Sequence, residues 1–154
     1  MTRQLFYYGA LGVITTVVAF VVNRRLFDRR RVGSVTPLEA LFYVFGVASL
    51  LIGWYCNVRY VHQAGAHASY VNYTKTLFDN WASDSAAQDY VIVNVVLFPL
   101  WSIVDGRRRG MRAPWLFFVM SLFTSLAFSV AMYLAFVERQ VRYTRSELAA
   151  SSTS

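Results

Sequence analysis

Few residues in this chain are of a type and spacing that could do chemistry. Asp89 is the best single polar candidate, because an ionisable group inside an apolar segment is a functional hypothesis by default. Asn94 follows five positions later, with Tyr90 one helical turn before it. Together they could form a polar site or a proton or ion path. Such a path needs further carboxylates deeper in the same segment, and there are none. The bland alternative puts Asp89 in the first turn of a helix, favoured by the helix dipole. His62 and His67 are five apart, about 140° around a helix, so they share no face and no metal site is expected. Cys56 is the sole cysteine and cannot pair within the chain. No Gly-rich phosphate loop, nucleophile elbow or metalloprotease pair occurs. No catalytic residue, cofactor or metal is therefore expected, and the chain is not expected to be an enzyme.

The elements that would carry these residues are apolar. The 154 residues are 56% hydrophobic and 17% aromatic, and only 15% are charged, against roughly 25% in ordinary soluble domains. Such a composition excludes disorder and leaves too little polar surface to cover a water-soluble domain. Four stretches approach the length needed to cross a hydrocarbon core, about 20 helical residues. They are Leu5 to Val22, Leu38 to Tyr55, Ser85 to Val104 and Pro114 to Val137. Thr36-Pro37-Leu38-Glu39 reads as a capping box that starts the second, with Glu39 explained by that role. Ser85-Ala86-Ala87-Gln88 reads as another, starting the third. Pro99 is expected to kink the third helix.

The expected fold is all-α: an integral membrane four-helix bundle with transmembrane helices at about 5–22, 37–56, 86–104 and 114–137. Between the second and third, Tyr70, Tyr73, Thr74, Leu77, Phe78 and Trp81 recur at helical spacing and predict a short external amphipathic helix at about 68–82. Residues 1–147 form one domain, and 148–154 are expected to be a disordered tail.

Charge sets the expected orientation. Arg24, Arg25, Arg29, Arg30 and Arg31 lie between the first two spans, and Arg107, Arg108, Arg109 and Arg112 between the last two. Arginines in short loops stay cytoplasmic, where they also meet lipid headgroups. The chain is thus expected in the plasma (inner) membrane, multi-pass, with both termini outside. Arg139, Arg142 and Arg145 in the tail run against that placement. The net charge of +7 is read as topology and lipid contact, and no nucleic-acid partner is expected.

In lipid, helices associate through small residues. The second span offers Gly46, Ser49 and Gly53. The fourth offers Ser121, Ser125 and Ser129 on one side and Ala127, Ala131 and Ala135 on another. Two such faces suggest packing within the bundle and contact with another membrane subunit.

From about Leu38 to Arg142 the chain resembles a bacterial membrane family, domain of unknown function 2834. The residues that carry the likeness are Leu77-Phe78-Asp79-Asn80, Asp89, the run Asp105-Gly106-Arg107-Arg108-Arg109-Gly110-Met111-Arg112 with Trp115, and Ser129 through Phe136 before Glu138-Arg139. The departures are Asp105 in place of Glu, a missing Pro in the last span, and an extra first helix. The resemblance implies a helical protein of the bacterial plasma membrane and no particular activity. The functional expectation is a non-catalytic accessory or assembly subunit of a larger membrane complex, with membrane lipids as partners and bound lipid in place of a cofactor. The alternatives are a small transporter or lipid- or isoprenoid-handling protein with its polar site near Asp89 and Asn94, or a membrane enzyme acting on lipid headgroups.

Overall fold

The computed structural model describes residues 2–152, all helix and connecting turns. Helix α1 covers Thr2–Val22. A single 3-10 turn at Arg24–Phe27 and the one-turn helix α2, Arg29–Val32, lead into α3, Pro37–Ala64. A second 3-10 turn, Gly65–His67, precedes α4, Tyr70–Leu77. Then come α5, Trp81–Ile92, and α6, Phe98–Arg108, joined without a break by a π-helical turn at Val93–Leu97. The chain closes with α7, Trp115–Phe123, and α8, Leu126–Ser151. Pro37–His67 and Trp81–Arg108 are long and apolar enough to cross a membrane, and α1 has an apolar run at Phe6–Val22.

Local chemistry accounts for most boundaries. The Thr36 side chain caps α3 by accepting from the Glu39 amide at 3.2 Å, as its sequence predicts. The second expected capping box does not act as one. Asn80 caps instead, its side chain accepting from the amides of Ala82 and Ser83. The third helix therefore begins at Trp81, and Ser85 to Gln88 lie within it. Pro99 lacks an N–H, and its ring would strike the carbonyl one turn back. The π-turn immediately before it widens the ladder there, with the Phe98 amide reaching back to the Val93 carbonyl.

The largest departure is in the fourth apolar segment, which is two helices and not one span. Thr124 and Ser125 leave the helical conformation, and the Ser125 hydroxyl caps α8 by accepting from the Phe128 amide at 3.0 Å. The Thr124 hydroxyl donates to the Met120 carbonyl at 2.7 Å. The Ser125 hydroxyl thus satisfies an amide at the new helix start, and the Thr124 hydroxyl adds a second bond to the Met120 carbonyl, which also accepts the Thr124 amide at 3.0 Å.

Helices α7 and α8 form a hairpin, since the Ser129 hydroxyl donates back to the Phe117 carbonyl. Nine residues of α7 rise only about 14 Å. The hairpin tip meets α1 at Gly12, where an added Cβ would lie 2.9 Å from the Phe123 carbonyl oxygen. Helix α8 then runs antiparallel to α3. Gly46 faces its second turn, where a Cβ would lie 2.8 Å from Met132 Cε, and Glu39 faces Arg139 at its middle. A continuous span would have carried the C-terminus to the opposite end. Instead α8 returns it to the end that holds the Arg loops, where Arg31 reaches Glu147 at 3.5 Å.

Helix α8 is the centre of the molecule. Phe117, Met120, Phe128, Met132, Tyr133 and Phe136 form the core, and Phe20, Phe27, Phe117 and Phe136 make edge-on or tilted ring contacts at 4.9–5.3 Å. The helix continues to Ser151, into the stretch expected to be a tail; residues 153–154 lie outside the described residues. The short helix expected at about 68–82 is α4, which ends at Leu77. Tyr73 on it packs edge-on against Tyr60 at the far end of α3, 5.2 Å between rings.

Candidate functional site

Among the described residues Glu39 is a carboxylate with no exposed surface. Its first-turn position on α3 points it across to α8, where one carboxylate oxygen meets Arg139 Nε and the other Arg142 Nη2. Each arginine also secures the loop between α1 and α3. Arg139 donates to the Leu26 carbonyl at 3.0 Å and lies over the Phe27 ring, 4.4 Å from its centroid. Arg142 donates to the carbonyls of Val32 and Ser34 at 3.0 and 2.7 Å, and its Nε is 3.8 Å from Glu138. One carboxylate thereby ties α3, α8 and the Arg24–Val32 loop into a single unit. In the sequence Glu39 reads only as part of a capping box. The signal that points to the cluster is the spacing of Arg139 and Arg142, one turn apart directly below an apolar segment.

A second tie joins α6 to α8. The fully buried Tyr133 donates its hydroxyl to Asp105 at 2.7 Å, and Arg109 donates to the same carboxylate at 2.7 Å one turn along α6. Removing the hydroxyl leaves the carboxylate one bond short. Tyr133→Phe is expected to lower stability by about 1.5–3 kcal/mol, the range for hydrogen bonds to charged groups, in a thermal melt of the detergent-purified protein.

The Asp89 and Asn94 pair is not brought together. Asp89 is exposed and, among the described residues, accepts only from neighbouring Gln88, at 2.6 Å. Asn94 is buried in the π-turn, where its carbonyl accepts from Ser121 of α7 at 2.7 Å and its amide donates to the Tyr90 hydroxyl at 3.2 Å. The second bond keeps the predicted Tyr90–Asn94 link, but the first turns Asn94 into a helix-to-helix tie.

Most of the small-residue stripes are spent inside the chain. Gly46 admits Ala131 and Met132. Ser49 donates to the Gly46 carbonyl at 2.8 Å. Ser121, Ser125 and Ser129 hold Asn94, the α8 cap and the hairpin. Ala131 and Ala135 are buried, while Ala127 is exposed and Gly53 meets nothing.

The two Arg loops meet at one end. Asn23 exchanges two hydrogen bonds with the Arg112 backbone, at 3.0 and 3.1 Å, and Arg25 donates to the Gly110 carbonyl at 2.6 Å and lies over Tyr143. Arg139, Arg142 and Arg145 join them. Twelve of the fourteen arginines are at this end with five carboxylates, Asp28, Glu39, Asp105, Glu138 and Glu147. The other end has Arg3, Arg59 and Lys75 against Asp79, Asp84 and Asp89. The whole net charge of +7 thus sits at one end of the molecule and none at the other.

No curated protein and no solved structure matches the chain. One family model does, described as "Protein of unknown function DUF2834", and it covers residues 41–139. That range takes in α3 from its second turn, the Asp105–Arg112 loop, the α7–α8 hairpin and Arg139, so the ties built from Asp105, Tyr133, Asn94 and Ser121 all fall within it. The chain is a member of this family of unknown function, with α1 and the Arg24–Val32 loop added ahead of the matched region.

Proposed function

We propose that this protein is a multi-pass membrane protein that acts as a non-catalytic accessory or assembly subunit of a larger membrane complex. The observation that carries this reading is how its buried polar groups are used. Glu39, Asn94, Asp105, Ser121 and Ser129 each bind another part of the chain, which is the pattern of a scaffold. Around them lies a belt of exposed apolar side chains, including Val13, Ile14 and Val17 on α1, Val44, Phe45, Leu51 and Ile52 on α3, and Val95, Leu97 and Leu100 near the π-turn. The accessible surface is 10006 Å², against about 7,900 Å² for a soluble monomer of this mass. That excess suits a molecule whose sides face lipid or partner subunits.

The charge asymmetry supports an orientation with the Arg end in the cytoplasm. In this arrangement α1, α3 and the α5–α6 helix cross, the α7–α8 hairpin enters and returns, and the C-terminus is cytoplasmic while the start of α1 is outside.

Affinity purification in mild detergent tests the role. A fixed ratio of this chain to larger membrane subunits is the expected result, and recovery of the chain alone would sink it. Asp89→Asn is expected to leave both assembly and stability unchanged, within about 0.5 kcal/mol as for exposed sites generally. Loss of a proton-coupled flux in that variant, with assembly intact, would instead favour the transporter reading.

A further inference from the structure

At the Arg end a cavity of about 360 Å³ opens between the loop into α3 and the side of α8, lined by Phe27, Arg29, Gly33, Ser34, Val35 and Arg139. Its chemistry is one-sided. Two guanidinium groups line it and no carboxylate does. Glu39 pairs with Arg139 itself and with Arg142, while Asp28 is held by the Arg30 amide and Arg31, and Glu138 by Arg142; Arg29 is the lining cation with no carboxylate paired to it among the described residues.

The two arginines differ in a useful way. Arg139 is 5% exposed and fixed by Glu39, the Leu26 carbonyl and the Phe27 ring, so it needs no ordering to receive a ligand. Arg29 is exposed and, among the described residues, forms no ion pair. Beside them, the amides of Ser34 and Val35 donate to no backbone carbonyl among the described residues. The exposed Arg29 guanidinium, the Arg139 guanidinium held in place by Glu39, the exposed Ser34–Val35 backbone and an apolar wall from Phe27 and Val35 border one space.

We propose that this cavity is a binding site for a phosphoryl anion, received by Arg29, Arg139 and the Ser34–Val35 amides. Guanidinium groups match phosphate oxygens through paired donors, and backbone amides supply further ones. The phosphate of an anionic phospholipid and free inorganic phosphate share this chemistry. The lipid source rests on the membrane reading above, with Glu39, in the first turn of α3, marking the headgroup level.

Native mass spectrometry, after extraction in mild detergent with equal phosphatidylglycerol and phosphatidylcholine, reads the lipid arm. A thermal melt with and without inorganic phosphate reads the other. One phosphatidylglycerol retained per chain in preference to phosphatidylcholine is the expected result. Arg29→Gln should weaken that retention about five-fold, the effect of one arginine near an anionic surface. Arg145→Gln removes the same charge from the same end but away from the cavity, and should leave retention unchanged. A melting-point rise with phosphate, lost in Arg29→Gln and without lipid preference, would support the same site with a free anion as its ligand. Equal losses in the two variants, or no response to either probe, would overturn the proposal. If the chain proves soluble without detergent, the membrane reading fails, and the phosphate arm still reports on the site.

Discussion

Replacing Glu39 with Ala is expected to destabilise the folded protein by about 3–5 kcal/mol, the range for breaking a buried ion pair by removing one partner. The reason is asymmetry. Glu39 is fully buried and serves two guanidinium groups at once, and the Arg139 side chain is only 6% exposed. Without the carboxylate, Arg139 keeps the Leu26 carbonyl and the Phe27 ring, neither of which offsets its charge. Arg139→Met should cost less, because Glu39 then keeps Arg142 and a side chain of similar volume fills the space. In Glu39→Ala combined with Arg139→Met the loss should be smaller than the sum of the single losses, since the two sites are in contact. Denaturant unfolding in detergent measures all three. A loss under about 1 kcal/mol for Glu39→Ala, outside the buried range, would mean that water reaches the cluster and that it does not tie α3 to α8.

The elements were legible in the sequence wherever a single local rule decides them. Thr36-Pro37-Leu38-Glu39 starts α3 as read, because a capping hydroxyl and a proline at the first turn need no tertiary context. The α1 helix and the apolar third helix are equally local. The rule misled where two local signals compete. Ser85 to Gln88 carry a capping pattern, but Asn80 upstream captures two amides and starts the helix a turn earlier. The hairpin is the instructive case. Ser121, Ser125 and Ser129 at intervals of four suit a packing stripe on one continuous helix. Serine equally suits an N-cap, and the choice depends on whether something receives the returning helix. Here Gly12 lets α1 approach the tip and Gly46 lets α3 approach α8. Those are long-range fits that periodicity does not carry.

The candidate site was the least legible part, for a related reason. Asp89 drew attention by lying near an apolar run, yet it is exposed. Glu39 drew none, because its backbone role was complete without a side-chain partner. Only the return of α8 brings Arg139 and Arg142 opposite it, a hundred residues along the chain. Nothing in the spacing around Glu39 signals that meeting.

On the membrane reading proposed above, that return puts the C-terminus on the Arg side, opposite to its expected position, and the test is nearly all-or-none. With Cys56 replaced by Ser, single cysteines at Thr76, Arg108 and Ala149 sit on exposed positions of α4, α6 and α8. A membrane-impermeant maleimide applied to intact cells should label Thr76→Cys and leave Arg108→Cys and Ala149→Cys unlabelled until the cells are opened. A straight fourth span would instead expose Ala149→Cys together with Thr76→Cys. Charge argues for the first pattern. The Arg end holds a net +7 and the other end none, and each arginine near the anionic inner surface contributes about 1 kcal/mol. Moving Arg139, Arg142 and Arg145 outside would forfeit that contribution and the ion pairs with Glu39 as well. The hairpin resolves what looks inconsistent in the linear sequence, where three arginines follow the last apolar segment on the side that charge disfavours. Labelling of Ala149→Cys from outside, with Arg108→Cys protected, would exclude the hairpin from the membrane-embedded protein.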